Sequence, residues 1–442
     1  MGYDDCWECS VGDIAAPVKN ALVGGPFGSN LVSRDYVESG VPVIRGQNMG
    51  LGRWVDGDFV FVGAEKADSL SANLAYPGDL VFTQRGTIGQ VALVPARRFE
   101  RYLISQSQMK LTVDSTKADP MFLYYVFRTD EQQAYIRRNA IQTGVPHTNL
   151  GILRDTPIRL PSLRVQKAVA HILGTLDDKV ELNRRINETL EAMARAVFKS
   201  WFVDFDPVRA KAEGRKTGLP KPLADLFPGS FDDSELGEIP AGWRVGAIEN
   251  VAENPRNGVQ PEEIDPGTPY IGLEHMPRRC IALCDWSTGD ALESSKYQFK
   301  RGDILFGKLR PYFHKVGVAP VDGVCSTDIL VVVPKSPPWF GFVFGHVSSV
   351  EFVNHTDAAS TGTKMPRTNW GDMARYEVAV PDERLAGEFT SQARPLIERI
   401  VGGIHESRAL AALRDALLPK LLSGEIRIAD RRARLANQSE TL

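Results

Sequence analysis

The chain has 442 residues, of which 43% are hydrophobic and 24% charged, and its net charge is −3. That length exceeds what a single core usually supports, so two or more domains are expected in an ordinary globular composition. No window approaches the roughly 18 consecutive apolar residues of a membrane span. The acidic opening residues lack the apolar stretch of a signal peptide, so a cytoplasmic location is the expectation. The charge argues against a lone DNA-binding domain, which is usually basic. Residues 1–150 carry 14 Lys plus Arg against 16 Asp plus Glu; any nucleic-acid surface would be a local patch or rely on a partner's charge.

In chain order, a Gly-rich segment, Gly25-Pro-Phe-Gly-Ser-Asn30, precedes short apolar runs such as Asp79-Leu-Val-Phe82 and Val91-Ala-Leu-Val94, which read as strands of a mixed sheet. Met121 to Arg138 reads as helical. A strand, a proline and a long helix from about Arg164 to Val203 follow. Its periodic positions are Ile172, Leu176, Lys179, Asn183, Ile186, Leu190, Met193 and Val197, a heptad seam with two polar interruptions. From 204 to 242 the chain is rich in Pro, Gly and charge and reads as an extended linker. More strand-like runs come next, including Ile329-Leu-Val-Val-Val333. A second long helix spans about Leu385 to Leu422, with Phe389, Ala393, Leu396, Ile400, Gly403, Ser407, Leu410, Arg414, Leu417 and Leu421 in the same rhythm.

The two halves match one another at a period of about 220 residues. Val41-Pro-Val-Ile-Arg-Gly-Gln-Asn-Met49 answers Thr268-Pro-Tyr-Ile-Gly-Leu-Glu-His-Met276, and Pro77-Gly-Asp-Leu-Val-Phe82 answers Arg301-Gly-Asp-Ile-Leu-Phe306. Thr143-Gly-Val-Pro-His-Thr-Asn149 answers Thr361-Gly-Thr-Lys-Met-Pro-Arg-Thr-Asn369, and Thr156 to Pro161 answers Tyr376 to Pro381. Four blocks in one order are not chance.

The expected fold is therefore α+β: two similar mixed-sheet domains separated by two long antiparallel coiled-coil helices. The boundaries read 1–163 for the first domain, 164–203 for the first helix and 204–242 for the linker. They continue with 243–384 for the second domain, 385–423 for the second helix and 424–442 for a tail. Gly403, Ser407 and Arg414 are poor core residues, so each helix is expected to need the other; two unrelated amphipathic helices packed on their own domains is the alternative. About 40 helical residues span roughly 60 Å. Paired similar readers on such a spacer suit a ligand with its own period, and DNA repeats its groove about every 34–36 Å. Removing a heptad from each helix would then shorten the gap by about 10 Å, some three base pairs.

Particular stretches give the pattern a family likeness. Gly25-Pro-Phe-Gly-Ser-Asn30, Gly78-Asp-Leu-Val-Phe82 and the helix opening Gln166-Lys-Ala-Val-Ala-His-Ile-Leu resemble the first half of type I restriction-modification specificity subunits. So does Trp201-Phe-Val-Asp-Phe-Asp-Pro207 leading to Leu236-Gly-Glu-Ile-Pro-Ala-Gly-Trp243. The resemblance runs from about Trp7 to Gly424. It implies two target recognition domains, each reading one half of a split site in double-stranded DNA, with helices that set the gap and dock two copies of a methylation subunit. Restriction subunits join that core. S-adenosylmethionine would belong to the methylation subunit, and ATP and Mg to the restriction subunit, with no cofactor in this chain. The second half departs by lacking the Gly-Pro-Phe-Gly-Ser loop; Asn254-Pro-Arg-Asn-Gly-Val-Gln260 stands there instead.

Base readout needs paired donors and acceptors: Arg or Lys for guanine, Asn or Gln for adenine. In the first half the candidates are Phe27 and Ser29 on the Gly-rich loop, Gln84, Arg85 and Thr87 between two strand-like runs, and His147. In the second they are Asn257, Gln260, the basic, aromatic-interleaved loop of Lys308, Arg310, Tyr312, His314 and Lys315, and then Lys364 and Arg367. Thr148-Asn149 and Thr368-Asn369 read as helix caps ahead of base contacts. Arg97, Arg98, Arg137 and Arg138 read as a solvated face or as phosphate contacts.

Catalytic constellations are missing from the sequence. It has no Gly-x4-Gly-Lys-Ser/Thr phosphate loop, no Asp/Asn-Pro-Pro-Tyr/Phe box, no Gly-x-Ser-x-Gly and no His-Glu-x-x-His. Cys6, Cys9, Cys280, Cys284 and Cys325 are an odd number, so free thiols are expected; Cys6-x2-Cys9 and Cys280-x3-Cys284 are poorly spaced for zinc. The reading is a non-catalytic DNA-reading subunit. A stand-alone DNA-binding or scaffold protein, and an enzyme with a site between the halves, are the alternatives.

Overall fold

A computed structural model describes residues 6–50, 52–96, 98–141, 146–290, 292–362 and 364–427. Arg97, Thr143, Gly144, Val145, Thr363 and most of the expected tail lie outside the described residues. Two compact units emerge, one from residues 1–181 with 410–442 and the other from 182–409.

The first unit contains strands β1 (Trp7–Ser10), β2 (Leu22–Gly24), β3 (Tyr36–Val37), β4 (Val41–Ile44), β5 (Val60–Val62) and β6 (Leu74–Ala75). They are followed by β7 (Leu80–Thr83), β8 (Val91–Leu93), β9 (Tyr102–Ile104), β10 (Gln108–Leu111) and β11 (Pro157–Leu160). Its helices are α1 (Ala64–Ser69), α2 (Pro120–Val126), α3 (Asp130–Asn139), α4 (Leu150–Arg154) and the first half of α5 (Leu163–Phe202). The strands make a β1-β11 ribbon, a four-stranded sheet β2-β10-β7-β8 and a five-stranded sheet β3-β5-β4-β9-β6. Strand β7 joins two cores because successive side chains face opposite ways. Leu80 and Phe82 pack with Phe122, Phe127 and Leu173, while Val81 packs with Ile44, Tyr102 and Ile104. That explains a strand buried along its whole length.

Met121 to Arg138 is two helices, not one. Thr129 restarts the helix by accepting a hydrogen bond from Gln132 N, with Asp130 and Glu131 in the new first turn. A second capping signal within the apolar run therefore outweighs its continuity.

The second unit contains α6 (Asp206–Ala212), α7 (Lys221–Ala224), the hairpin β12 (Phe231–Ser234) and β13 (Gly237–Pro240), and then β14 (Arg244–Ala247), β15 (Ala252–Glu253) and β16 (Gly258–Val259). It continues with β17 (Pro269–Ile271), β18 (Ser287–Thr288), β19 (Lys296–Phe299), β20 (Ile304–Gly307), β21 (Val316–Val318), β22 (Gly323–Cys325) and β23 (Ile329–Pro334). Helices α8 (Phe340–Val347), α9 (Val350–Ala358) and α10 (Trp370–Ala374), strand β24 (Glu377–Val380) and α11 (Glu383–Ser423) complete the fold.

Its sheets repeat those of the first unit. The β14-β24 ribbon answers β1-β11, and β15-β23-β20-β21 has the order of β2-β10-β7-β8. In the larger sheet β18-β17-β22-β19 repeats β5-β4-β9-β6, including a parallel central pair in each. Only the added edge differs: β3 lies beside β5 in one unit, β16 beside β19 in the other. The sequence duplication is a duplication of fold.

The expected extended linker is folded. Residues 204–242 build α6, α7 and the β12–β13 hairpin, and Phe205, Val208, Phe227 and Ile239 enter the main core of the second unit beside Trp201 and Phe202. The Pro and Gly residues punctuate short elements, and four spaced apolar residues suffice to dock them.

The long helices cross one another antiparallel in each unit. In the second, Asn183 Nδ2 donates to Ser407 Oγ at 3.3 Å and to Glu406 Oε2 at 2.9 Å, and the Phe198 ring packs tilted against Phe389 with centroids 5.9 Å apart. In the first, Arg414 pairs with Asp177. On the α11 seam Phe389, Ala393, Ile400 and Leu421 are buried as expected, while Leu396, Ser407, Leu410, Arg414 and Leu417 are half-buried. The α5 seam holds at Asn183, which is buried, and is displaced further along the helix. Met193 is 51% exposed, whereas Asn187, Glu191, Ala194, Phe198 and Trp201 are buried. Two adjacent periodic stripes run along this helix, and the packed one carries the larger aromatic rings. Periodicity alone does not choose between neighbouring stripes.

Candidate nucleic-acid interface

In the first unit, β2, β7 and β10 deliver three loops to one place. The Gln84 carbonyl accepts from Thr148 N at 2.9 Å, Gln84 N donates to the Ser107 carbonyl at 2.7 Å, and Arg85 bridges to His147. A Cβ on Gly24 would lie 3.7 Å from Gln84 Oε1, so the Gln84 side chain lies against the strand that enters the Gly-rich loop. Arg85 and Thr87 are exposed, as are Phe27 and Ser29. The structure thus gathers Phe27, Ser29, Gln84, Arg85, Thr87 and His147 around the ends of β2, β7 and β10.

The second unit builds the same junction. The Lys308 carbonyl accepts from Thr368 N at 3.1 Å, Lys308 N donates to the Asp328 carbonyl at 2.9 Å, and Leu309 bridges to Arg367. Arg310 N donates to the Pro366 carbonyl at 2.7 Å, and its guanidinium reaches the Lys364 carbonyl. Arg310 holds φ at +52° and His314 at +50°, a left-handed conformation costly for residues with a side chain and characteristic of functional loops. Exposed Arg367 spans Asp328 with Nε at 3.0 Å and Nη2 at 3.4 Å.

Not every residue of the Lys308–Lys315 loop faces out. His314 is buried, its ring nitrogen 3.0 Å from the Ser348 carbonyl, and burial lowers its pKa from the ordinary value, which keeps it neutral. The structure therefore corrects His314 from a base-contact candidate to a residue that fixes the loop. Lys315 Nζ is held by the Leu273 carbonyl; burial, and then Arg278, push its pKa down. Tyr312 is exposed and packed edge-on against Phe313, while Lys308 and Arg310 are half-buried.

Asn257 and Gln260 belong to a different edge. They flank β16, where the Asn257 carbonyl accepts from Gln298 N and Gln260 Oε1 accepts from Ser295 Oγ. Gln260 opens a turn containing Glu262 and Glu263, an acidic setting that repels phosphate.

The capping readings hold: Asn149 accepts from Ile152 N and Asn369 from Asp372 N. Sequence reasoning missed Arg278 and Arg279. Arg278 lies 3.7 Å above the Phe313 ring, and Arg279 N donates to the His314 carbonyl, so two exposed cations join the loop from the turn after Met276. The Pro-Arg-Arg run was the available signal. The cysteines are free thiols, and no helix among the described residues is long and apolar enough to cross a membrane.

The junction repeats a scaffold while changing what it displays. Comparison with known proteins shows what the chain is similar to. Residues 53–192 match the family described as Type I restriction modification DNA specificity domain. The chain is similar to the Type I restriction enzyme MjaIX specificity subunit of Methanocaldococcus jannaschii, 25% identical over 359 residues, covering 79% of this chain and 78% of that protein. It is 24% identical over 399 residues to the HindI specificity subunit of Haemophilus influenzae, covering 79% and 86% respectively. Its fold is similar to the crystal structure of a type I restriction-modification S subunit from M. genitalium, with a TM-score of 0.55, 15% identity and coverage of 94% and 96%. The chain therefore resembles the type I restriction-modification specificity subunits across most of its length.

Proposed function

We propose that this chain is the sequence-reading subunit of a type I restriction-modification enzyme, with each unit reading one half of a bipartite DNA site through its junction. The observation that carries this is the recurrence of one backbone junction, Gln84–Thr148 in one unit and Lys308–Thr368 in the other, with different side chains mounted on it. A shared scaffold with unlike residues is what two unlike half-sites require. Gln84 is suited to adenine, and Arg85, Lys308 and Arg310 to guanine. Lys364, Arg367, Arg278 and Arg279 are suited to phosphate, which positions without specifying.

In this reading α5 and α11 set the gap between half-sites and receive two methylation subunits, and restriction subunits join them. Chemistry is delegated: S-adenosylmethionine is held by the methylation subunit, and ATP and Mg by the restriction subunit. The modest charge of this chain fits a division of labour in which partners supply much of the phosphate contact. Mapping methylated positions in DNA from cells that carry this chain with its methylation partner tests the proposal. A split motif with a fixed gap is expected; a continuous motif, or none that depends on this chain, would overturn it.

A further inference from the structure

The loop before Leu31 ends in the most exposed large apolar residue among the described residues, Phe27, at 89%. A single exposed apolar side chain is ordinary on a protein surface. What sets this one apart is the construction beneath it. Gly25 N donates to the Gln108 carbonyl at 2.8 Å, and a Cβ at Gly25 would fall 1.9 Å from the Ser105 carbonyl oxygen, so the chain is pressed onto the turn between β9 and β10 at a point only glycine permits. Gln106 Nε2 donates to the carbonyls of Gly28 and Leu31, and Asn73 Nδ2 donates to that of Gly24 at 2.7 Å. Pro26 is buried, and Phe27 follows it straight into solvent.

The ring is therefore held out by a bolted loop rather than left out by a slack one. Residues 24–31 carry no charge, so this loop offers phosphate no ionic grip, only the neutral donors of Ser29, Asn30 and the backbone. It stands beside Gln84, the adenine-type reader of the same junction. An apolar wedge next to a polar reader matches the way aromatic and aliphatic side chains enter base steps, where stacking on the ring offsets the cost of unstacking the bases. Resting on the DNA-reading function above, we infer that Phe27 inserts at a base step of the half-site read by the first unit and stacks on the base it exposes. The second unit lacks the wedge; the corresponding stretch is Asn254-Pro-Arg-Asn-Gly258. Only one half-site is opened in this way.

The test uses the chain assembled with its methylation partner and cognate duplexes carrying 2-aminopurine, one position at a time, at sites other than the methylated adenine. The wild-type complex is expected to raise fluorescence at one step of one half-site. Phe27→Ala should abolish that rise and weaken binding roughly 5- to 150-fold, equivalent to about 1–3 kcal/mol for one base–aromatic stack; Phe27→Trp should retain both. An unchanged rise and affinity in Phe27→Ala would overturn the inference. So would failure of Phe27→Ala to co-elute with the methylation partner in the absence of DNA, since the ring would then face protein. If wild-type complex shows no preference for any duplex, the DNA-reading proposal itself has failed; preferential binding with no Phe27-dependent signal refutes the wedge alone.

Discussion

Arg414 Nη1 lies 2.6 Å from Asp177 Oδ1, joining the two long helices within the first unit, with only 13% and 10% of the two side chains exposed. Tyr125 Oη donates to the other Asp177 oxygen at 2.6 Å, and neighbouring Asp178 takes Arg53, whose guanidinium also reaches the Gly174 carbonyl. Arginine at a seam position, a poor core residue in sequence terms, is thus accommodated by a partner placed for it. Breaking one side strands a nearly buried charge, which typically costs about 3–5 kcal/mol. Arg414→Ala alone should therefore lower the urea midpoint sharply. The triple variant Arg414→Leu with Asp177→Leu and Tyr125→Phe, which removes the hydroxyl that Asp177 accepts from as well, should recover most of the loss, since apolar replacements of similar volume are often neutral or stabilising there.

Adjacent glycines on α11 should respond unequally to alanine. Gly402 has open space where its Cβ would be, whereas a Cβ on Gly403 would meet Asn187 Oδ1 at 2.9 Å. Helix propensity alone favours alanine by about 1 kcal/mol. Gly402→Ala should stabilise by about that amount; Gly403→Ala should gain less or lose, because Asn187 must move. Chemical unfolding of the two variants side by side makes the comparison.

His346 should make the second unit acid-sensitive. It is buried among Phe198, Phe342 and Tyr376, and desolvation lowers its pKa from 6.5 to about 3. A histidine whose folded pKa lies below its unfolded one contributes stability that is present above 6.5 and lost as pH falls toward 3, because the unfolded chain binds the proton first. The slope approaches about 1.4 kcal/mol per pH unit inside that window. Urea midpoints at pH 7 and pH 4.5 should therefore differ more for wild type than for His346→Leu.

Much of this was legible in the sequence because duplication doubles every weak signal. The runs at Leu80–Phe82 and Ile304–Phe306 gave the sheets, and Asn149 and Asn369 gave the caps. The misses have physical causes. Continuity of apolar residues from Met121 onward hid the Thr129 cap. Two adjacent stripes on α5 made Leu190–Met193 look like the seam that Glu191–Ala194 occupies. In the binding loop, charge and aromatic content marked Lys308 to Lys315, but nothing local said that a left-handed turn would fold His314 inward onto Ser348. Arg278 and Arg279 reach the loop through tertiary contact, which spacing does not encode.

The measurement closest to the central claim selects randomised duplexes with the assembled complex carrying wild-type chain or Arg310→Ala. The account predicts a loss of roughly 1–3 kcal/mol in discrimination at positions within one half-site, with the other half and the intervening gap unchanged. Relaxed preference in both halves together, or in neither, would contradict two independent readers on one chain.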